Sequence, residues 1–180
     1  RIPRASPLAS ARFRRFDAFA PFHLFLARAE PEDEGYYGAF VDAYGPWLVE
    51  LERGWTSEFA VPLKLARPAR AGALPIYVLR SAEDYARHFA GRPSLAAYGP
   101  FARFDAELGA LVTFTGAKQT ADKALLRRVL LHGAAELLLS AWSKAGRLPG
   151  ALWLGVGLAE YLSAHRGLQP AALSARGQVR

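Results

Sequence analysis

The sequence predicts an α+β domain: a small mixed sheet with helices, followed by two packed helices. Two observations carry this. Short strand-like runs and helical segments fill the first two thirds and end in a hairpin pattern over 101–114. Two long apolar stretches, Ala121–Lys144 and Leu152–Ala164, then follow with a Gly- and Pro-containing turn between them. With 180 residues, 52% of them hydrophobic, the chain is one domain with enough apolar surface for a full core.

The elements follow in order. Residues 1–12 are rich in Pro, Ser and Arg and read as a loose segment, and residues 13–167 as the domain. Phe13 to Arg28 reads as a strand pair around Pro21, with Phe22–Leu26 as the second strand. Glu30, Glu32, Asp33 and Glu34 place acids at a helix start, where they complement the helix dipole. Tyr37, Val41, Tyr44, Leu48, Leu51 and Trp55 recur at helical spacing, and Gly45-Pro46 is expected to kink or break that helix. Pro75–Leu79 is a short buried strand, and Ser81-Ala82-Glu83-Asp84 has the form of a helix cap and first turn. Phe101–Phe104 and Leu108–Phe114 pair around Asp105-Ala106-Glu107, and Thr120 caps the first long helix. Residues 168–180 form a tail.

The net charge of +7 rests on 19 Arg and 4 Lys spread along the chain, densest at Arg12, Arg14 and Arg15 beside the first strand. These do not interleave with aromatics in a recognisable nucleic-acid module, so the charge reads as compositional bias with no specific nucleic-acid partner. The absence of cysteine excludes disulfides, Cys-zinc sites and a thiol nucleophile. Without Met, residue 1 is not a translated start, which fits an exported protein whose leader has been removed. No membrane span is expected, because the longest apolar run, Ala124–Trp142, is interrupted by Arg127, Arg128, His132 and Glu136.

Two segments carry the chemistry. Residues 132–136 read His-Gly-Ala-Ala-Glu inside the first long helix, and residues 153–161 read Trp-Leu-Gly-Val-Gly-Leu-Ala-Glu-Tyr. His132 and Glu136 are one turn apart and share a helix face. Gly133 costs about 0.8–1 kcal/mol relative to Ala in a helix interior. Nothing about folding calls for it, so it reads as relaxed constraint or as an engineered removal, and Gly133→Glu is expected to improve helix propensity by a fraction of a kcal/mol. Gly155-Val156-Gly157 also suggests a G-x-G-x-x-G nucleotide loop, but its third glycine position is Glu160 and no opening βαβ unit surrounds it. His23, His88 and His165 stand alone and read as structural or surface residues.

Taken together, residues 74–165 resemble gluzincin-type zinc metallopeptidases, and more closely a little-characterised bacterial family of such domains. Those enzymes bind zinc through the two histidines of H-E-x-x-H and a glutamate in a W-L-x-E-G-x-A-x-Y stretch. Here His132 keeps the first ligand position, Gly133 stands at the base, Glu136 at the second ligand and Val156 at the third. Trp153, Leu154, Gly157, Ala159, Glu160 and Tyr161 match the frame. The resemblance implies a zincin-like fold, a cleft formed by His132, Glu136, Val156, Glu160 and Tyr161, and a Glu160–His132 contact that orients the imidazole. It also implies that the strand before the first long helix, Leu111-Val112-Thr113-Phe114, is an edge to which an extended peptide adds.

With the base and two ligands replaced, no catalytic residue, metal or other cofactor is expected, and the function implied is that of a degenerate peptidase that binds a peptide or protein. The alternative is an active zinc hydrolase using the weak ligand set His132, Glu136 and Glu160.

Overall fold

The computed structural model describes residues 7–28, 34–64, 73–90, 102–105, 107–115, 123–144 and 152–167. A single helical turn, α1 (Pro7–Ser10), forms within the segment expected to be loose. It holds because Leu8 buries against the sheet beside Leu79, Val112 and Phe114. Strands β1 (Phe13–Phe19) and β2 (Phe22–Ala27) form the expected antiparallel pair around Pro21. Helix α2 (Glu34–Trp55) follows and gives way to a π-helical turn, Thr56–Ala60. Strand β3 (Leu74–Leu79), helix α3 (Ala82–His88) and the hairpin β4 (Ala102–Asp105) and β5 (Ala110–Phe114) come next. The last described elements are α4 (Lys123–Lys144) and α5 (Leu152–Gly167).

The five strands lie in the order β1-β2-β3-β5-β4. The inner three are parallel, and β1 and β4 run antiparallel to their neighbours. Alternation sorts the side chains. One face, with Leu24, Leu26, Ile76, Val78 and Leu111, meets α2, α4 and α5 in the main core. The other face, with Leu79, Val112 and Phe114, is covered by α1 and α3. Inner parallel strands buried on both sides explain why β5 contains only buried residues.

Three local features refine the sequence reading. Helix α2 runs through Pro46 and is not broken there. Gly45, one residue earlier, has no room for a Cβ because the Phe19 ring packs onto it, so this pair of residues docks β1 onto α2. The Ser81 cap forms as expected, with Ser81 Oγ accepting from the Asp84 N–H at 3.1 Å. Thr120 lies outside the described residues.

The edge assignment needs correction. Leu111, Val112, Thr113 and Phe114 do not form an edge, because β5 pairs with β3 on one side and with β4 on the other. Among the described residues β4 and β1 are the terminal strands, and β4 is the one beside β5. The sequence suggested an edge from position alone, whereas β5, with all of its residues buried and only Thr113 polar, has the character of a doubly covered inner strand.

Candidate site on the helix pair

Helices α4 and α5 pack along one another, burying Leu130, Leu131, Ala134, Leu138, Ala159 and Leu162 in the main core. This packing brings the polar residues of the two segments together. His132 is buried, at 4% exposure. Its Nδ1 lies 3.6 Å from Glu160 Oε1, which is the contact the resemblance implies between the two helices. Its Nε2 lies 3.6 Å from Glu136 Oε1, one turn along α4. Both distances exceed a direct hydrogen bond. Glu160 Oε2 also lies 3.6 Å from the Arg128 guanidinium. Arg128 is four residues before His132, so the face Arg128–His132–Glu136 was readable from helical spacing.

Gly133 has a structural reason. A Cβ built there would run into the Leu111 Cδ1 methyl of β5, with Cδ2 at 3.3 Å. Leu111 is fully buried on β5 between β3 and β4, so admitting a Cβ requires its side chain to shift within the packed core. The expected gain in helix propensity from Gly133→Glu therefore meets an opposing steric cost: the glycine lets α4 lie directly on β5. Sequence could not show this, because the partner is 22 residues upstream and is an ordinary core leucine.

The remaining site residues separate. Tyr161 is 46% exposed, its ring edge-on to Phe59 at 5.8 Å and its hydroxyl 3.4 Å from Glu58 Oε2, so it belongs to the side of the π-helical turn. Val156 lies on α5, but its side chain is outside the described residues. Gly155 and Gly157 fall inside α5, not in a strand-to-helix loop, which removes the geometric basis of a nucleotide loop.

Glu136 and Glu160 address opposite nitrogens of one imidazole and so do not converge on a common point. A tetrahedral site needs three or four ligands about one ion. Among the described residues no group of three or more His, Cys, Asp or Glu is arranged to hold a metal ion.

A second histidine pair escaped the sequence reading. His88 Nε2 lies 2.9 Å from Asp105 Oδ2, with both side chains buried. The other carboxylate oxygen, Oδ1, accepts from the N–H groups of Glu107 and Leu108 at 3.1 and 3.2 Å. Asp105 thus shapes the β4–β5 turn and fastens it to the end of α3. His23 sits in a surface cluster, with Nδ1 2.5 Å from Asp17 Oδ1 and 2.8 Å from the Arg15 guanidinium. The Arg15 hydrogen bond is the main cause holding the Asp17 carboxyl below its usual range.

No family model, curated protein or solved structure matches this chain. Among the described residues no helix is long and apolar enough to cross a membrane.

Proposed function

We propose that this chain is a zincin-like domain that keeps the gluzincin helix pair as a scaffold without peptidase chemistry. Its role is to hold an extended peptide or protein segment along the sheet edge. The observation that carries the reading is the contact between Gly133 and Leu111. Hydrolysis by a gluzincin needs a carboxylate at position 133 to take a proton from metal-bound water. Here that position has no side chain, and the buried methyl of Leu111 fills the volume one would enter. The divergent placing of Glu136 and Glu160 about His132 supports the same reading, since neither replaces a lost zinc ligand.

Binding is supported by β4. It is a terminal antiparallel strand, and such an edge offers backbone groups to which an extended segment can add. The test is hydrogen exchange on the full chain, free and with peptides selected from a random display library. Protection gathered at residues 102–105 is expected. Selected peptides that protect the opposite edge, β1, or no strand at all would overturn the proposal.

A further inference from the structure

The carboxyl ends of the parallel strands carry a row of arginines that the helix-pair reading does not use. Leu26 pairs with Val78, so Arg28 and Arg80, each just past its strand, stand level on neighbouring parallel strands. The Arg28 N–H donates to the Arg12 carbonyl at 2.8 Å, which places Arg12 level on the other side. The three side chains are exposed. At about 4.8 Å between strands, their backbones span roughly 10 Å. Thr115, whose N–H donates to the Leu79 carbonyl at 2.9 Å, ends β5 at the same level.

The surroundings are aromatic and hydroxylic. The Arg80 guanidinium lies 5.7 Å from the Tyr36 ring centre, and that of Arg14 lies 5.2 Å from the Tyr37 ring centre. The Tyr36 hydroxyl and Thr115 Oγ1 are 2.8 Å apart.

At this end the connections from neighbouring parallel strands lead to opposite faces of the sheet. After β2 the chain continues into α2 on the face of Leu24 and Ile76, whereas after β3 it continues into α3 on the face of Leu79 and Phe114. Where adjacent parallel strands send their connections to opposite faces, a crevice opens at their carboxyl ends, and ligands bind there in open α/β sheets. Arg28 and Arg80 end those two strands.

We infer that this crevice binds a small ligand bearing a run of phosphates, held by Arg12, Arg28 and Arg80. Guanidinium forks match phosphate oxygens in bidentate fashion, and a row of three suits several linked phosphates better than one carboxylate. Arg14 and Arg28 have further interactions within the protein; a guanidinium carries five donors and can serve both these and a ligand. Glu30, Glu32 and Asp33 follow Arg28 in the sequence and lie outside the described residues.

The test is calorimetric titration of the full chain with inorganic tripolyphosphate at low salt. Saturable binding is expected, weakened about tenfold or more in Arg28→Gln/Arg80→Gln through loss of charge-assisted hydrogen bonds. The variant Arg53→Gln/Arg87→Gln removes the same charge from helix surfaces and should bind as the parent does. Arg28→Lys/Arg80→Lys keeps the charge but loses the forked geometry, and should also bind more weakly; it serves if the glutamine variant folds poorly. No binding by the parent, or equal losses in the two glutamine variants, would overturn the inference. So would a single-stranded oligonucleotide that binds more tightly than tripolyphosphate through the same arginines, because it would make the crevice part of a nucleic-acid surface.

Discussion

Among the described residues two buried histidines stand beside carboxylates, and the fold treats them differently. His88 and Asp105 are in direct contact, with side chains 0% and 1% exposed, and Asp105 spends its second oxygen on the turn that follows. His132 is also buried, but its carboxylates stand 3.6 Å away on either side and are 26% and 42% exposed. The first pair is closed and ties three elements together. The second joins α4 to α5 loosely and keeps its charged ends in water. Residue types alone do not distinguish a structural pair from a candidate site; contact distance and solvent access do.

The largest expected effect tests the closed pair. Asp105→Ala leaves a buried imidazole and two turn N–H groups without their acceptor, and should cost about 3–5 kcal/mol in urea unfolding. The matched change Glu160→Ala, at the half-exposed carboxylate, should cost about 0–1 kcal/mol. Equal losses would erase the distinction between the two histidines.

Next in size is the helix–sheet contact. Gly133→Ala gains up to about 1 kcal/mol in helix propensity but overpacks against Leu111, for a net loss of about 1–2 kcal/mol. With Leu111→Ala already in place the same change should become stabilising. A thermodynamic cycle over the four proteins reads the coupling, and additive effects would remove the steric account of Gly133.

Alkaline titration gives a smaller and broader effect. Burial pushes the Tyr85 hydroxyl up to about 12, against a partial opposing pull from Arg103. Burial also raises Tyr36, Tyr44 and Tyr77. In the unfolded chain a tyrosine ionises near pH 10, so the folded state gives up its proton later. Stability should therefore be full below pH 10 and fall as pH rises from 10 towards 12. Unfolding midpoints of Tyr85→Phe should decline less steeply over that range, and a parallel decline would count against burial as the cause. The smallest effect is expected for Arg128→Ala, since its pairing with Glu160 is solvent-exposed: about 0–0.5 kcal/mol, and less at high salt.

Much of the fold was legible because it rests on local signals. The Tyr37-to-Trp55 spacing, the Ser81 cap and the Asp105 turn each state their structure within a few residues. Of the site, the His132–Glu136 face was legible from one helical turn, and the approach of Glu160 from the motif frame. What stayed hidden depends on partners far apart in the chain. Leu111 reveals itself as the reason for Gly133 only when β5 lies under α4, and His88 finds Asp105 only when α3 meets the hairpin. Nor could an apolar run such as 110–114 say whether it was an edge or an inner strand until its neighbours on both sides were known.

The central claim is that the helix pair is kept without peptidase chemistry. Its most direct test is a peptide-library cleavage assay on the purified chain, supplied with zinc or with chelator, beside His132→Ala. The account predicts no chelator-sensitive cleavage above background for the parent, and the same result for the variant. Zinc-dependent cleavage by the parent that is abolished in His132→Ala would contradict it.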